Sequence, residues 1–115
     1  MRIYECCPFN NENLIAKIKI QESSKWIDQL HLTESNKTFK YGDKEYCFNV
    51  DCDPGFVFYH QINGLKLFKE SVLEKSRVFP FVKRMNGAWY NDKVQRDLAC
   101  SFIHPSDDDI VILSD

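Results

Sequence analysis

Short apolar runs separated by polar turns organise this chain, and their period changes along it. Ile3, Tyr4, Cys6 and Cys7 form a compact run that Pro8 ends, which predicts a strand over Arg2–Pro8. Asn10-Asn11-Glu12 follows. Either asparagine suits a helix N-cap, with Glu12 then in the first turn. Leu14, Ile15 and Ile18 recur at helical spacing, so a helix is expected to about Trp26 with those three facing inward. Gln29–Thr33 alternates, placing Leu30 and Leu32 on one side of a second strand. Strand, helix and strand in that order predict a βαβ unit with parallel strands.

Further along, Glu34 to Phe39 is a dense polar loop and Tyr41-Gly42-Asp43-Lys44 a turn. Glu45–Val50 reads as a short strand, Asp51 to Gly55 as a second turn, and Phe56–His60 as an aromatic strand. Gln61 to Asn86 has no clear period and is broken by Gly64 and Pro80. Tyr90–Ile103 predicts a helix with Val94, Leu98 and Phe102 on one face, closed by His104-Pro105. Asp107-Asp108-Asp109 reads as a solvated turn. It leads into Ile110-Val111-Ile112-Leu113, an aliphatic run expected to be a strand buried on both faces. These elements predict an α/β fold. The expected architecture is one domain over 1–115, a Rossmann-like mixed sheet with flanking helices whose strand ends converge on one crevice.

The 115 residues are 43% hydrophobic and 14% aromatic, enough for one core. Net charge is −2 with both signs mixed, and no Lys/Arg cluster is present, which argues against a nucleic-acid binder. No apolar run approaches the ~20 residues of a membrane span, and the amino terminus lacks a secretory core. A cytoplasmic location is therefore expected. The five cysteines include no Cys-x-x-Cys, and the three histidines lack paired metal spacing. Reduced thiols packing as small hydrophobes are expected, and a metal- or redox-sensing protein is the least supported class. Four isolated glycines cannot build a phosphate loop.

Three groups carry candidate chemistry. Glu34, Asn36 and Thr38 lie just beyond a predicted buried strand, where a carboxylate can accept from a ribose or uracil-type donor. The plainer alternative is a self-capping loop. Arg96, in Gln95-Arg96-Asp97, can meet a diphosphate with its planar fork or pair with Asp92 on a solvated face. Asp115, at the carboxyl end of the terminal strand, is a divalent-metal candidate, although a hard cation wants several oxygens. Glu34 and Asp115 are expected to meet at a common rim. Phe56-Val57-Phe58-Tyr59 reads as core rather than a sugar-stacking platform. No catalytic residue is assigned.

Several blocks resemble glycosyltransferase family 17, the family of β-1,4-mannosyl-glycoprotein β-1,4-N-acetylglucosaminyltransferase. Ile3-Tyr4-Glu5-Cys6-Cys7-Pro8-Phe9 is similar to its first strand, and Asn11-Glu12 with Ile18-Lys19-Ile20 to its first helix. Asp28 with Leu30 to Phe39 resembles its Asp-x-x-x-x-x-Glu-(Ser/Ala)-x-x-Thr-Phe signature, which Lys44 follows. Gln95-Arg96-Asp97 and Asp108 to Asp115 resemble the run into its Ser-Asp-x-Asp-Glu motif. Glu5 stands where Asp is usual and Lys19 where Arg is usual. Asp115 matches only the first acid of the terminal motif, so the chain resembles the amino-terminal part of such an enzyme. The resemblance implies a GT-A-like sheet, UDP-GlcNAc as donor and a glycan acceptor. It places Glu34, Asn36, Thr38 and Arg96 around the donor, with Mn²⁺ or Mg²⁺ at Asp115, held weakly or not at all by this chain. The competing expectation is a non-catalytic α/β interaction module that self-associates through its terminal strand.

Overall fold

The structure, a computed structural model, describes residues 1–38, 42–63 and 95–114. The elements are β1 (Ile3–Pro8), α1 (Asn13–Ser23), β2 (Gln29–Ser35), β3 (Val57–Ile62), α2 (residues 95–101) and β4 (Ile110–Leu113). The strands form one sheet in the order β3-β2-β1-β4. All three pairings are parallel, with Tyr4 opposite Gln29, Leu30 opposite Val57 and Ile3 opposite Ile110. The fold is therefore α/β, and the mixed sheet expected from the sequence is corrected to a parallel one over the described strands. Parallel pairing puts all four carboxyl ends at one edge. The chain steps outward from β1 to β2 and β3, then returns to the other side of β1 as β4.

β1 is central, so both its faces must be apolar or internally paired. That explains the adjacent cysteines: Cys6 and Cys7 are both buried and point into different cores. On one face Tyr4 and Cys6 pack with Ala99 and Ile103, and Cys100 lies alongside. On the other, Cys7, Leu30, Leu32 and Val57 pack with Ile20, Phe48, Cys52, Phe56 and Tyr59. Phe56 to Tyr59 is thus largely core, as its composition suggests.

Both helices bury a different stripe from the expected one. On α2 the buried positions are Gln95, Ala99 and, just past its end, Ile103. Leu98 is only half-buried, Phe102 is partly exposed, and Val94 lies outside the described residues. On α1, Leu14, Ile15 and Ile18 are 72%, 59% and 54% exposed, while Ala16 and Ser23 are buried. The cause is Glu5, a buried acid on β1. Ser23 Oγ donates to it at 2.9 Å and Lys19 Nζ reaches it at 3.0 Å. A buried carboxylate without such partners is strongly destabilising, so the helix presents its polar stripe inward. Phe48, Cys52 and Phe56 fill the rest of that face. No asparagine caps α1: the N-cap is Glu12 without a side-chain bond, and Asn11 takes φ 54°.

Residues 44–56 carry the chain from β2 to β3 without a helix or strand, which corrects the strand expected over Glu45–Val50. Its backbone is satisfied by side chains instead. Cys47 and Phe48 N–H donate to Glu34, Asn49 N–H donates to Asn13 Oδ1, and Asn13 Nδ2 donates to Cys47 C=O. The turn at Asp53 to Gly55 forms as expected, with Gly55 N–H on Asp53 Oδ1.

β4 pairs with β1 and is the outer strand of the described sheet. Ile110, Val111 and Leu113 are exposed, so the expectation of burial on both faces is corrected. Its amino end is held by Asp109, which accepts from Arg2 N–H and Ser106 N–H; those bonds keep its carboxyl below the usual range. Asp107 and Asp108 form the exposed turn. Among the described residues no helix is long and apolar enough to cross a membrane.

A row of rings runs over the α2 face. His60 stacks on Phe102 at 4.1 Å between centroids, and His31 stacks on Phe58 at 4.9 Å. His31 Nδ1 lies 2.8 Å from His60 Nε2, and His31 Nε2 lies 3.0 Å from Gln29 Oε1. His31 must donate to the amide oxygen, so its Nδ1 accepts from His60. Burial, then the neighbouring His60, push His31 down to about 4; burial also lowers His60. The unfolded chain therefore binds protons that the native one refuses. Stability is fully present above about pH 6.5 and falls as pH drops toward about 4, His31 alone contributing on the order of 3 kcal/mol. Urea unfolding between pH 7.5 and 4.5 should show this slope, and His31→Phe should flatten it; an unchanged slope in the variant would refute the assignment.

Candidate functional site

A crevice opens at the carboxyl edge of the sheet, where α/β proteins bind ligands. Phe9 and Asn10 enter it from just past β1, Ser35 from the last position of β2, Lys37, Thr38 and Lys44 from the segment that follows, and Gln95 from α2. It is a shallow notch whose enclosed space, about 10 Å³, has room for roughly one water. The segment after β2 folds back on itself: Lys37 bridges Asp43 in antiparallel fashion, Thr38 N–H donates to Gly42 C=O, and Lys44 N–H donates to Asn36 C=O. Gly42 N–H donates to Thr38 Oγ1, and a Cβ on Gly42 would stand 3.1 Å from that oxygen. Lys37 N–H donates to Ser35 Oγ.

Glu34 lies beneath this turn and is 0% exposed. Its Oε2 takes Lys44 Nζ at 2.6 Å and Cys47 N–H at 2.8 Å. Its Oε1 takes Phe48 N–H at 3.2 Å and the Tyr59 hydroxyl. Burial would raise its carboxyl, but Lys44, Tyr59 and the two backbone N–H groups outweigh that and hold it below the ordinary value. The same contact, with burial, pushes the Tyr59 phenol well up. Lys44 also donates to Ser35 C=O at 3.1 Å. The acid therefore spends its acceptors on the protein and reaches the crevice only through the Lys44 ammonium.

The other expected site residues divide. Thr38 lines the crevice. Asn36 donates to Asn63 Oδ1, while its own Oδ1 is buried with no hydrogen-bond donor; Thr33 Oγ1, three residues earlier in β2, is likewise buried without a partner. Arg96 is half-buried on α2 beside the crevice-lining Gln95, whose Nε2 donates to Thr33 C=O. Asp115 lies outside the described residues. Ser114, before it, donates to Glu5 Oε1. Asp28, part of the quoted signature, sits at the opposite edge, where its Oδ2 accepts from Ile3 N–H at 2.7 Å. It fastens the amino ends of β1 and β2 and does not approach the crevice.

Sequence reasoning assigned no site role to Lys37, placed only in the signature-like block, to Asn10, read as a possible helix cap, or to Gln95, noted only beside Arg96, and it noted Lys44 only as a follower of the signature. The available signal was the cation spacing on either side of Gly42. No three His, Cys, Asp or Glu side chains group for a metal among the described residues. Comparison with family models, with known proteins and with solved structures yields no match for this chain.

Glu34 holds a cation and an irregular backbone segment together, so its removal leaves Lys44 and two N–H groups unpaired. Glu34→Ala should cost roughly 3–5 kcal/mol in urea unfolding. Tyr59→Phe removes one contact and should cost about 1–2 kcal/mol. Equal, small losses in both variants would contradict the central role of the acid.

Proposed function

We propose that this protein is a glycosyltransferase-like enzyme that takes a nucleotide-sugar donor, UDP-GlcNAc, at the carboxyl edge of the sheet and transfers the sugar to a glycan. The observation that carries the reading is the position of the signature-like block. Glu34 and Ser35 end β2 at the crevice, and Ser35, Lys37 and Thr38 supply part of its wall. The β3-β2-β1-β4 order is that of a Rossmann-like half-sheet, consistent with a GT-A-like arrangement. The two departures from the family pattern also support it, because Glu5 and Lys19 are ion-paired with each other. A longer acid has its partner in a changed base.

Transfer from a nucleoside diphosphate sugar loads negative charge on the leaving group, and fixed cations stabilise it. Among the described residues, Lys44 and Lys37 are cations that line the crevice, with Arg96 as a further candidate. Asn36 and Thr38 are the candidates for ribose or base contacts. A divalent ion at Asp115 would supply Lewis acidity when bound; the described side chains hold no set for it.

Donor turnover tests the reading: UDP release from UDP-GlcNAc, with Mn²⁺ and an N-glycan acceptor, should exceed the uncatalysed rate and fall at least tenfold in Lys44→Met. Absence of both UDP binding and UDP release would sink it. The exposed Leu14, Ile15 and Ile18 on α1, with the exposed β4, favour a second reading, a non-catalytic interaction module. Under that reading size-exclusion chromatography shows concentration-dependent self-association while UDP-GlcNAc leaves the protein unaffected.

A further inference from the structure

Two cysteines from distant parts of the chain come together in the fold. Cys6 sits on the central strand β1 and is 0% exposed. Cys100 sits on α2, half-buried, and packs against the cluster that Cys6 forms with Tyr4, Ala99 and Ile103. The two thiols hydrogen-bond to one another. The other cysteines lie elsewhere. Cys7, next to Cys6 in sequence, faces the opposite side of the sheet and joins the cluster against which Cys52 packs. Cys47 donates its S–H to Glu45 C=O. Strand alternation therefore selects Cys6, not Cys7, as the residue that meets α2. Their separation in sequence hides the pair from any spacing motif.

Two thiols in contact across two elements can be joined by the loss of two electrons and two protons. Their surroundings set the order of events. Burial, then Cys100, push the Cys6 thiol up to about 12, so Cys6 stays protonated and out of reach of a dissolved oxidant. Cys100 is the sulfur that solvent reaches, and it meets the oxidant first.

We propose that Cys6 and Cys100 form a redox-sensitive clasp: a peroxide oxidises the pair to a disulfide that fastens α2 to β1, and a dithiol reductant releases it. The Cys100 sulfur attacks the peroxide O–O bond and becomes a sulfenic acid, while its proton leaves with the departing water or alcohol. The Cys6 sulfur then attacks the Cys100 sulfur. The S–S bond forms, and the sulfenic hydroxyl leaves as water with the Cys6 proton. The two thiols have then lost two electrons and the peroxide has gained them. A dithiol reverses the change by exchange and ends as its own disulfide. The clasp bears on the crevice, because α2 carries Gln95, which lines it and whose Nε2 donates to Thr33 C=O. It operates whether or not the protein transfers a sugar.

The test treats the reduced protein with hydrogen peroxide under native conditions, followed by alkylation and peptide mapping by mass spectrometry. The intact chain should lose two hydrogens, the peptides holding Cys6 and Cys100 should be joined, and dithiothreitol should separate them. The crosslink should raise the urea midpoint by roughly 1–2 M, since it closes most of the chain into one loop. Cys100→Ser should abolish both the crosslink and the shift, and Cys52→Ser should change neither. In concentrated urea the same oxidation should lose its preference for this pair. Mapping the parent needs no variant to fold, so the proposal stays exposed to refutation whatever the substitutions do. It is overturned if peroxide carries Cys100 to sulfinic acid without a crosslink, or joins other cysteines instead. It is also overturned if the Cys6–Cys100 link forms as readily in urea as in the native protein, or forms and leaves the urea midpoint unchanged or lower.

Discussion

One buried carboxylate organises the functional end of this protein. Parallel strands β2 and β3 require a crossover, and a helix is the usual solution because it satisfies its own backbone. Here residues 44–56 of the crossover form neither helix nor strand, so their N–H groups need partners from elsewhere. Glu34 supplies them for Cys47 and Phe48 while neutralising Lys44 and receiving the Tyr59 hydroxyl. Asn13 does the equivalent work from α1, gripping Cys47 and Asn49. The position of Lys44 at the crevice is thus a consequence of how the chain covers the sheet.

Glu5 repeats the device on the neighbouring strand. It is buried, it holds a lysine from the element packed over it, and two hydroxyls complete its shell. Burial alone would raise its carboxyl; Lys19, Ser114 and Ser23 more than offset that and keep it charged. The two acids together decide what lies on the α1 face of the sheet. One turns the helix so that Lys19 and Ser23 face inward and three aliphatics face outward. The other pins the crossover. Removing one member of such a pair leaves an uncompensated charge, which is why these interactions constrain the geometry more than their net energies suggest.

A buried ion pair and an exposed one both border the crevice. The floor is tied to the sheet through Glu34, and the rim carries an ion pair that solvent reaches freely. A crevice built this way has a fixed electrostatic centre and a polar wall bounded by a solvent-exposed ion pair. The unpartnered oxygens of Thr33 and Asn36 lie on the same strand end, where regular backbone pairing gives out.

The order of elements was legible from local pattern. Ile3 to Pro8, Gln29 to Thr33, Phe56 to His60 and Ile110 to Leu113 each announce a strand, and the first βαβ unit follows from a strand, a helical period and a strand. The turn at Asp53 to Gly55 was legible because its hydrogen bonds are local. The inward faces of α1 and α2 were not. Periodicity selects the most apolar stripe, whereas burial of α1 is decided by an acid on another element. The strand expected over Glu45–Val50 failed for the same reason, since its N–H partners are Glu34 and Asn13, distant in sequence. β4 has the composition of a buried strand, yet its neighbours, not its residues, set its exposure. The sequence marked Glu34 as chemically important by an expected place in a loop beyond a buried strand, whereas Glu34 is part of β2 itself, paired with Gln61. Only the tertiary structure decided that its oxygens point into the protein and that Lys44 stands at the crevice in its place, because which groups a charge meets depends on contacts that no local pattern encodes.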